Sequence, residues 1–155
     1  MSKLIVLSGI PGSGKSTWAH KYVAEHTNTI ILSTDDLRFE LFGSYLINSD
    51  HEKIMRKTLI TRAISAANQN IDVVLDSAVV KNKGRLRWYR QLGQYFDSCS
   101  LVIIEADLNI CLMRNKQRDR HVPEPVIQEM YSWKEEPNDE VRRAFTNILT
   151  IRNDT

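Results

Sequence analysis

Eight residues near the start of the chain, Gly9-Ile10-Pro11-Gly12-Ser13-Gly14-Lys15-Ser16, fit the spacing G-x-x-x-x-G-K-[ST] of a phosphate-binding loop. Such a loop needs a strand before it and a helix after it, and both flanks comply. Lys3-Leu4-Ile5-Val6-Leu7 is a short apolar run that reads as a buried strand, and Ser16 to Glu25 reads as a helix. Glycines let the backbone curl until several N–H groups share one hollow, and the helix behind adds about half a positive charge. Lys15 brings a full charge to the same hollow, placed for the β- and γ-phosphates of a nucleotide. The hydroxyl of Ser16 suits Mg²⁺, a hard cation that prefers oxygen.

Composition narrows what is built around that loop. The 155 residues are 42% apolar and 26% charged, which fits one soluble globular domain, 1–155, with a core of its own. A formal net charge of +2 is too small to demand a nucleic-acid partner. Cys99 and Cys111 lie in apolar surroundings and form no C-x-x-C pair, so they read as buried thiols suited to a reducing, cytoplasmic compartment. The first apolar run is too short for a signal peptide, and no stretch is long and apolar enough for a membrane. His20, His26, His51 and His121 show no metal-ligand spacing.

Along the chain, apolar runs at 29–32, 72–76, 101–104 and 148–151 read as further strands. Between them, 37–42 reads as a short helix ending at Gly43. A long helix follows, capped by Ser49 or Asp50 and running to about Gln69, with Met55, Leu59, Ala63 and Ala66 on its inner face. Lys83 to Phe96 reads as a helix, Asp107 as the cap of the next one, and Pro125 as the opening of another that runs to about Lys134. Residues 135–140 read as a turn. Alternating strands and helices predict an α/β fold: a parallel sheet of four to five strands with helices on both faces. Ligands of such sheets bind at the carboxyl ends of the strands. The loop, Asp35 and Asp76 each follow a strand, so they should meet there.

Asp35 and Arg38 are three apart at the start of a helix, so their side chains share a face. A carboxylate beside a phosphate site can accept the proton of an attacking hydroxyl, or hold Mg²⁺ through water. An arginine beside it can hold an anionic group in a fork. Ser33-x-x-Asp36 fits a capping box, which makes Asp36 structural. Asp76, at the end of an apolar strand, fits the Walker-B place in a Mg²⁺ shell or a plain strand-end cap. Arg114, Arg118 and Arg120 adjoin a flexible connection and suit either a mobile segment closing over phosphates or a solvated basic helix face. Lys81, Lys83, Arg85, Arg87 and Arg90 form a second basic run, which reads as the wet face of an amphipathic helix or as a track for a phosphate backbone. Trp88 and Tyr89 within it read as core or half-core.

These pieces, in this order, resemble the kinase domain of bacteriophage polynucleotide kinase and related bacterial P-loop kinases. The likeness runs from Lys3 to about Pro137 through Gly9–Ala19, Ser33-Thr34-Asp35-Asp36-Leu37-Arg38, Val73-Val74-Leu75-Asp76, Arg85-Leu86-Arg87-Trp88, Arg114-Asn115-Lys116-Gln117-Arg118 and Val122–Tyr131. It implies a P-loop NTPase fold with a small arginine-bearing lid. It implies ATP on Gly12, Ser13, Gly14, Lys15, Ser16, Thr17 and Arg114, and Mg²⁺ near Ser16 and Asp76. Asp35 would be the general base, Arg38 the contact to the acceptor's 3′-phosphate side, and Arg118 the lid arginine on the transferring phosphoryl group, with Lys15 holding the donor. The acceptor implied is the 5′-hydroxyl of RNA or DNA. Related kinases continue the third strand as Asp-x-Thr-Asn, whereas Ser77-Ala78-Val79 follows Asp76 here, and no counterpart of the phage enzyme's phosphatase half is expected. Two other readings stand beside this one. They are a small-molecule kinase of the same fold, acting on a nucleoside, sugar or antibiotic, and a nucleotide-binding switch or ATPase that transfers nothing. A dinucleotide oxidoreductase is disfavoured, because Gly12-Ser13-Gly14 never completes G-x-G-x-x-G.

Overall fold

All five strands run parallel, in the order β2-β3-β1-β4-β5, with the strand that feeds the glycine loop at the centre. They are β1 (Lys3–Ser8), β2 (Thr29–Ser33), β3 (Asp72–Asp76), β4 (Ser98–Glu105) and β5 (Asn147–Arg152). The computed structural model describes residues 2–154. Register is fixed by apolar residues facing both ways: Leu4 pairs with Val73 and Cys99, and Val6 with Leu75 and Leu101. In β1 only Lys3 is exposed, as expected of a parallel strand covered on both faces.

One face is covered by α1 (Lys15–Glu25), whose Ala19 packs with Ile5, Leu7, Val74, Val102 and Ile104. The other is covered by α3 (Ser49–Asn68), α4 (Asn82–Leu92) and α7 (Asp139–Ala144), which bring Met55, Leu59, Ala63, Trp88, Leu92 and Val141 onto Leu4, Val6, Val73 and Leu101. The helices α2 (Thr34–Phe42), α5 (Leu108–Lys116) and α6 (Glu124–Ser132) lie towards the carboxyl ends of the strands. There Ile10, Val80, Ala106, Cys111 and Ile127 form a third small core. Cys99 and Cys111 are buried free thiols.

Several local expectations are corrected. The cap of α3 is Asn48, whose side chain accepts from His51 N–H at 2.8 Å, in place of Ser49 or Asp50. Asp107 begins α5 but makes no capping bond, because Arg152 holds its carboxylate. The helix over 83–96 stops at Leu92, and a 3₁₀ turn at Gly93–Tyr95 delivers Phe96 to the core. The helix opened near Pro125 ends at Ser132, and a further helix, α7, starts at Asp139 and takes the last two positions of the turn expected over 135–140. Asn138 caps α7 by accepting from Val141 N–H at 2.9 Å.

The largest correction concerns Arg85, which is only 2% exposed. It cannot belong to a wet helix face. Its guanidinium donates to Asn82 Oδ1 at 2.9 Å, to the Glu135 carbonyl at 2.8 Å and to Ser8 Oγ at 3.2 Å. Those bonds tie the end of β1 to the segment after α6. Arg85→Ala is expected to leave the Asn82 and Glu135 oxygens without that donor and to open a void, costing about 2–4 kcal/mol. A thermal melt would then fall by about 5–15 °C; a shift within a degree or two would show that water replaces the guanidinium.

Candidate active site

The loop between β1 and α1 owes its shape to two glycines with left-handed backbones, Gly12 at φ 85° and Gly14 at φ 103°. A Cβ at Gly12 would also lie 2.5 Å from the Cys111 carbonyl, so α5 packs directly on the loop. Ser13 N–H closes the turn on the Ile10 carbonyl at 3.1 Å. Gly14 caps α1 without any side-chain bond, and no acid stands in the first turn. The positive end of that helix is therefore left for an anion from outside. The Ser13 hydroxyl is buried without a hydrogen-bond partner among the described residues.

Lys15 is buried and donates to the Ile10 carbonyl at 3.2 Å. Burial pushes its pKa down, Asp76 and then Asp35 pull it back up, and Arg118 lowers it further. The ammonium is thus held where its charge is costly until an anion arrives. Ser16 Oγ donates to Asp76 Oδ2 at 2.8 Å. A hydroxyl and a carboxylate in contact, both hard oxygen donors, suit Mg²⁺ completed by phosphate oxygens and water. No cluster of three or more His, Cys, Asp or Glu fit for a metal occurs among the described residues.

These residues line a cleft of about 440 Å³ with Pro11, Thr17, Ser33, Thr34, Asp35, Asp36, Ala78, Arg114, Arg118 and Arg120. The loop, Asp35, Asp76 and the three arginines Arg114, Arg118 and Arg120 are therefore brought to one cleft. Asp35 lies in the first turn of α2, whose Ser33 cap accepts from Asp36 N–H at 3.2 Å. Asp35 Oδ1 accepts from Arg38 Nη1 at 2.8 Å. Arg38 is in turn gripped by Glu52 of α3, with Nε to Oε1 at 2.6 Å and Nη2 to Oε2 at 3.1 Å. Burial works against the Arg38 charge, but Glu52 and then Asp35 outweigh it, and its pKa lies above the ordinary value. Arg38 is thereby a rigid prop for Asp35.

Arg114 lines the cleft and also fastens it. Its Nη1 donates to the Gly12 carbonyl at 3.1 Å and its Nη2 to the Asn153 carbonyl at 2.8 Å. Asn153 Nδ2 donates to the Ser13 carbonyl at 3.0 Å. Arg118 does not share a helix face with Arg114, because α5 ends at Lys116, yet the turn that follows still brings it to the cleft. Its guanidinium has no ion pair or hydrogen bond among the described residues, and burial and then Arg120 weaken its hold on the proton.

Sequence reasoning missed Glu52, Arg56, Tyr45 and Asn153. The only available signal was the spacing of Glu52 and Arg56, one helical turn apart on α3. Arg56 lies 4.2 Å over the Trp88 ring and Arg120 4.0 Å over Tyr45. With Arg38, Lys81, Lys83 and Arg87 they line a second cavity of about 790 Å³ that meets the first at Pro11, Thr34, Asp35, Ala78 and Arg120. Ser77, Ala78 and Val79, which follow Asp76, form part of its wall.

The comparison with protein families decides what kind of site this is: the family model described as an AAA domain matches residues 4–137. The chain belongs to that family. Residues 4–137 of this AAA domain are a P-loop, kinase-like unit built to take ATP. A curated relative, the L-seryl-tRNA(Sec) kinase of Methanococcus maripaludis, is 29% identical over 136 residues, covering 83% of this chain and 51% of that protein. A solved chain of the Pnkp1/Rnl/Hen1 RNA repair complex superposes with a TM-score of 0.79 at 21% identity, covering 93% of this chain and 46% of that chain. A gluconokinase from Sinorhizobium meliloti 1021 gives 0.64 at 20%, covering 97% and 82%. The AAA domain thus spans about half the length of the curated relatives it matches. No helix among its described residues is long and apolar enough to cross a membrane.

Proposed function

We propose that this chain is an ATP- and Mg²⁺-dependent kinase, acting as a single domain over 1–155, that moves the γ-phosphoryl group to the 5′-hydroxyl of a polynucleotide. The observation that carries the reading is the basic cavity joined to the donor cleft at Asp35. Arg38, Arg56, Lys81, Lys83, Arg87 and Arg120 line it, and among the described residues Asp35 is the only acid in its wall. An acceptor bearing several phosphates would find these six cations in the wall and its reacting hydroxyl beside a carboxylate. Trp133 and Tyr45 also line it, each with a cation over its ring, and such rings can stack bases of a single strand once the cation moves to a phosphate. The names of two similar proteins, a seryl-tRNA kinase and a chain of an RNA repair complex, support RNA as the first acceptor to try. Two buried free thiols suit a cytoplasmic setting.

In this reading the loop amides and Lys15 hold the β- and γ-phosphates, and Thr17 and Arg114 border the rest of the donor. Ser16 and Asp76 would hold Mg²⁺, which when bound would offset charge on the phosphates. Asp35 takes the proton of the attacking hydroxyl, Arg38 keeps Asp35 aimed, and Arg118 meets charge building on the transferring group. The test is γ-labelled ATP supplied with 5′-hydroxyl RNA, 5′-hydroxyl DNA, nucleosides and sugars. Label at the 5′ end of an oligonucleotide is the expected result. Label only in a small molecule would replace the acceptor. Free phosphate with no labelled acceptor would replace the kinase by an ATPase.

A further inference from the structure

Both oxygens of Asp35 are engaged. Oδ1 accepts from Arg38 at 2.8 Å and Oδ2 from Arg120 Nη2 at 2.9 Å. The two arginines are not held alike. Arg38 is one turn along the same helix and is gripped twice by Glu52, whereas Arg120 arrives from the turn between α5 and α6, 85 positions away. Arg120 has this one ion pair and the face of Tyr45. Tyr45 belongs to the loop between α2 and α3. Arg120 is therefore the partner that can leave. It also stands in the walls of both cavities, at their junction, next to the like charge of Arg118.

We propose that Arg120 is a latch on Asp35 that the acceptor itself releases. With the acceptor cavity empty, Arg120 covers Oδ2 and keeps water from using it. An acceptor phosphate entering the basic cavity offers Arg120 a partner of higher charge and a better fork. Arg120 swings to that phosphate, and Oδ2 is left open to the hydroxyl. The hydroxyl oxygen then bonds to the γ-phosphorus, the bond from that phosphorus to ADP breaks with its electron pair leaving on ADP, and the hydroxyl proton passes to Oδ2. Transfer to water would follow the same balance, with a water oxygen in place of the hydroxyl and its proton passing to Oδ2. The latch suppresses that loss. The inference rests on the kinase reading above, because it assigns Asp35 as the base.

The test compares wild type, Arg120→Gln and Tyr45→Ala in γ-labelled ATP with Mg²⁺, with and without a 5′-hydroxyl oligonucleotide, separating free phosphate from labelled product. Without acceptor, Arg120→Gln is expected to release phosphate about tenfold faster than wild type, a part of what a general base contributes. Tyr45→Ala is expected to move the same way by a smaller factor, and KM for the oligonucleotide should rise in Arg120→Gln. Adding Asp35→Asn to Arg120→Gln should cancel the gain, since it runs through that carboxylate. Thermal melts establish that each variant folds, and if Arg120→Gln does not, Tyr45→Ala decides. Hydrolysis unchanged, or hydrolysis and transfer falling by one factor, would overturn the latch and make Arg120 a prop or a phosphate ligand. A wild type that labels no oligonucleotide would overturn the polynucleotide acceptor, while the phosphate-release comparison would still decide the latch.

Discussion

Asp35→Asn is expected to slow phosphoryl transfer by about 10²–10⁴-fold, the usual contribution of a positioned general base. The substitution keeps the size of the side chain, removes its ability to take a proton, and with the charge removes the ion pairs to Arg38 and Arg120. ATP binding should change little if, as proposed, the loop, Lys15 and Ser16 hold the donor, since none of them is altered. Asp35 also stands in the first turn of α2, where its charge favours the helix by about 0.5 kcal/mol, so the fold should survive. Single-turnover transfer with saturating ATP is the measurement. A rate within tenfold of wild type would remove Asp35 from the chemistry and leave it as an anchor for Arg38 and Arg120.

Lys15→Met should be as damaging to activity and opposite in its effect on the empty protein. Removing the buried cation is expected to cut the rate of transfer by about 10²–10³-fold. Yet burial holds the Lys15 pKa below its ordinary 10.5, so the folded state keeps this proton less well than the unfolded chain does. Between the lowered value and 10.5 the unfolded chain binds more protons, and this group therefore makes the fold more stable as pH rises through that window. Below the window the full cost of burying the charge remains. The Met variant escapes it, so without nucleotide it should melt above wild type near pH 7, and the gap should close as pH approaches about 10. A variant that melts lower at neutral pH would show that Asp76 and Asp35 more than repay the burial.

How much of this was legible depended on distance along the chain. The loop, the strands and the Asp35–Arg38 pair rest on neighbours in sequence, and period and spacing reported them correctly. At the start of α3 the sequence offers Asn48, Ser49 and Asp50 in a row. Any of them can cap, and only packing selects Asn48. Arg85 lay among four other basic residues of the same run, and nothing local separates the one that points inward from those that meet water. Glu52 reaches Arg38 across two helices and 14 positions, so no periodicity could announce the carboxylate that grips Arg38 behind Asp35. The latch of Arg120 on Asp35 is more remote still.

The fastening of the loop by Asn153 has a consequence for how the protein comes into being. Ser13 and Asn153 are 140 positions apart, and Asn153 lies beyond the stretch that matches the family. At about 5–20 residues per second, a ribosome makes the loop on the order of ten seconds before the residue that secures it. During that interval β1 has no docked β5 beyond β4, and the carbonyls of Gly12 and Ser13 have neither Asn153 nor a fully anchored Arg114 to turn them outward. Fastening of the loop is thereby coupled to closure of the sheet. A growing chain carries the residues of the loop long before it can make the bond from Asn153 that secures them.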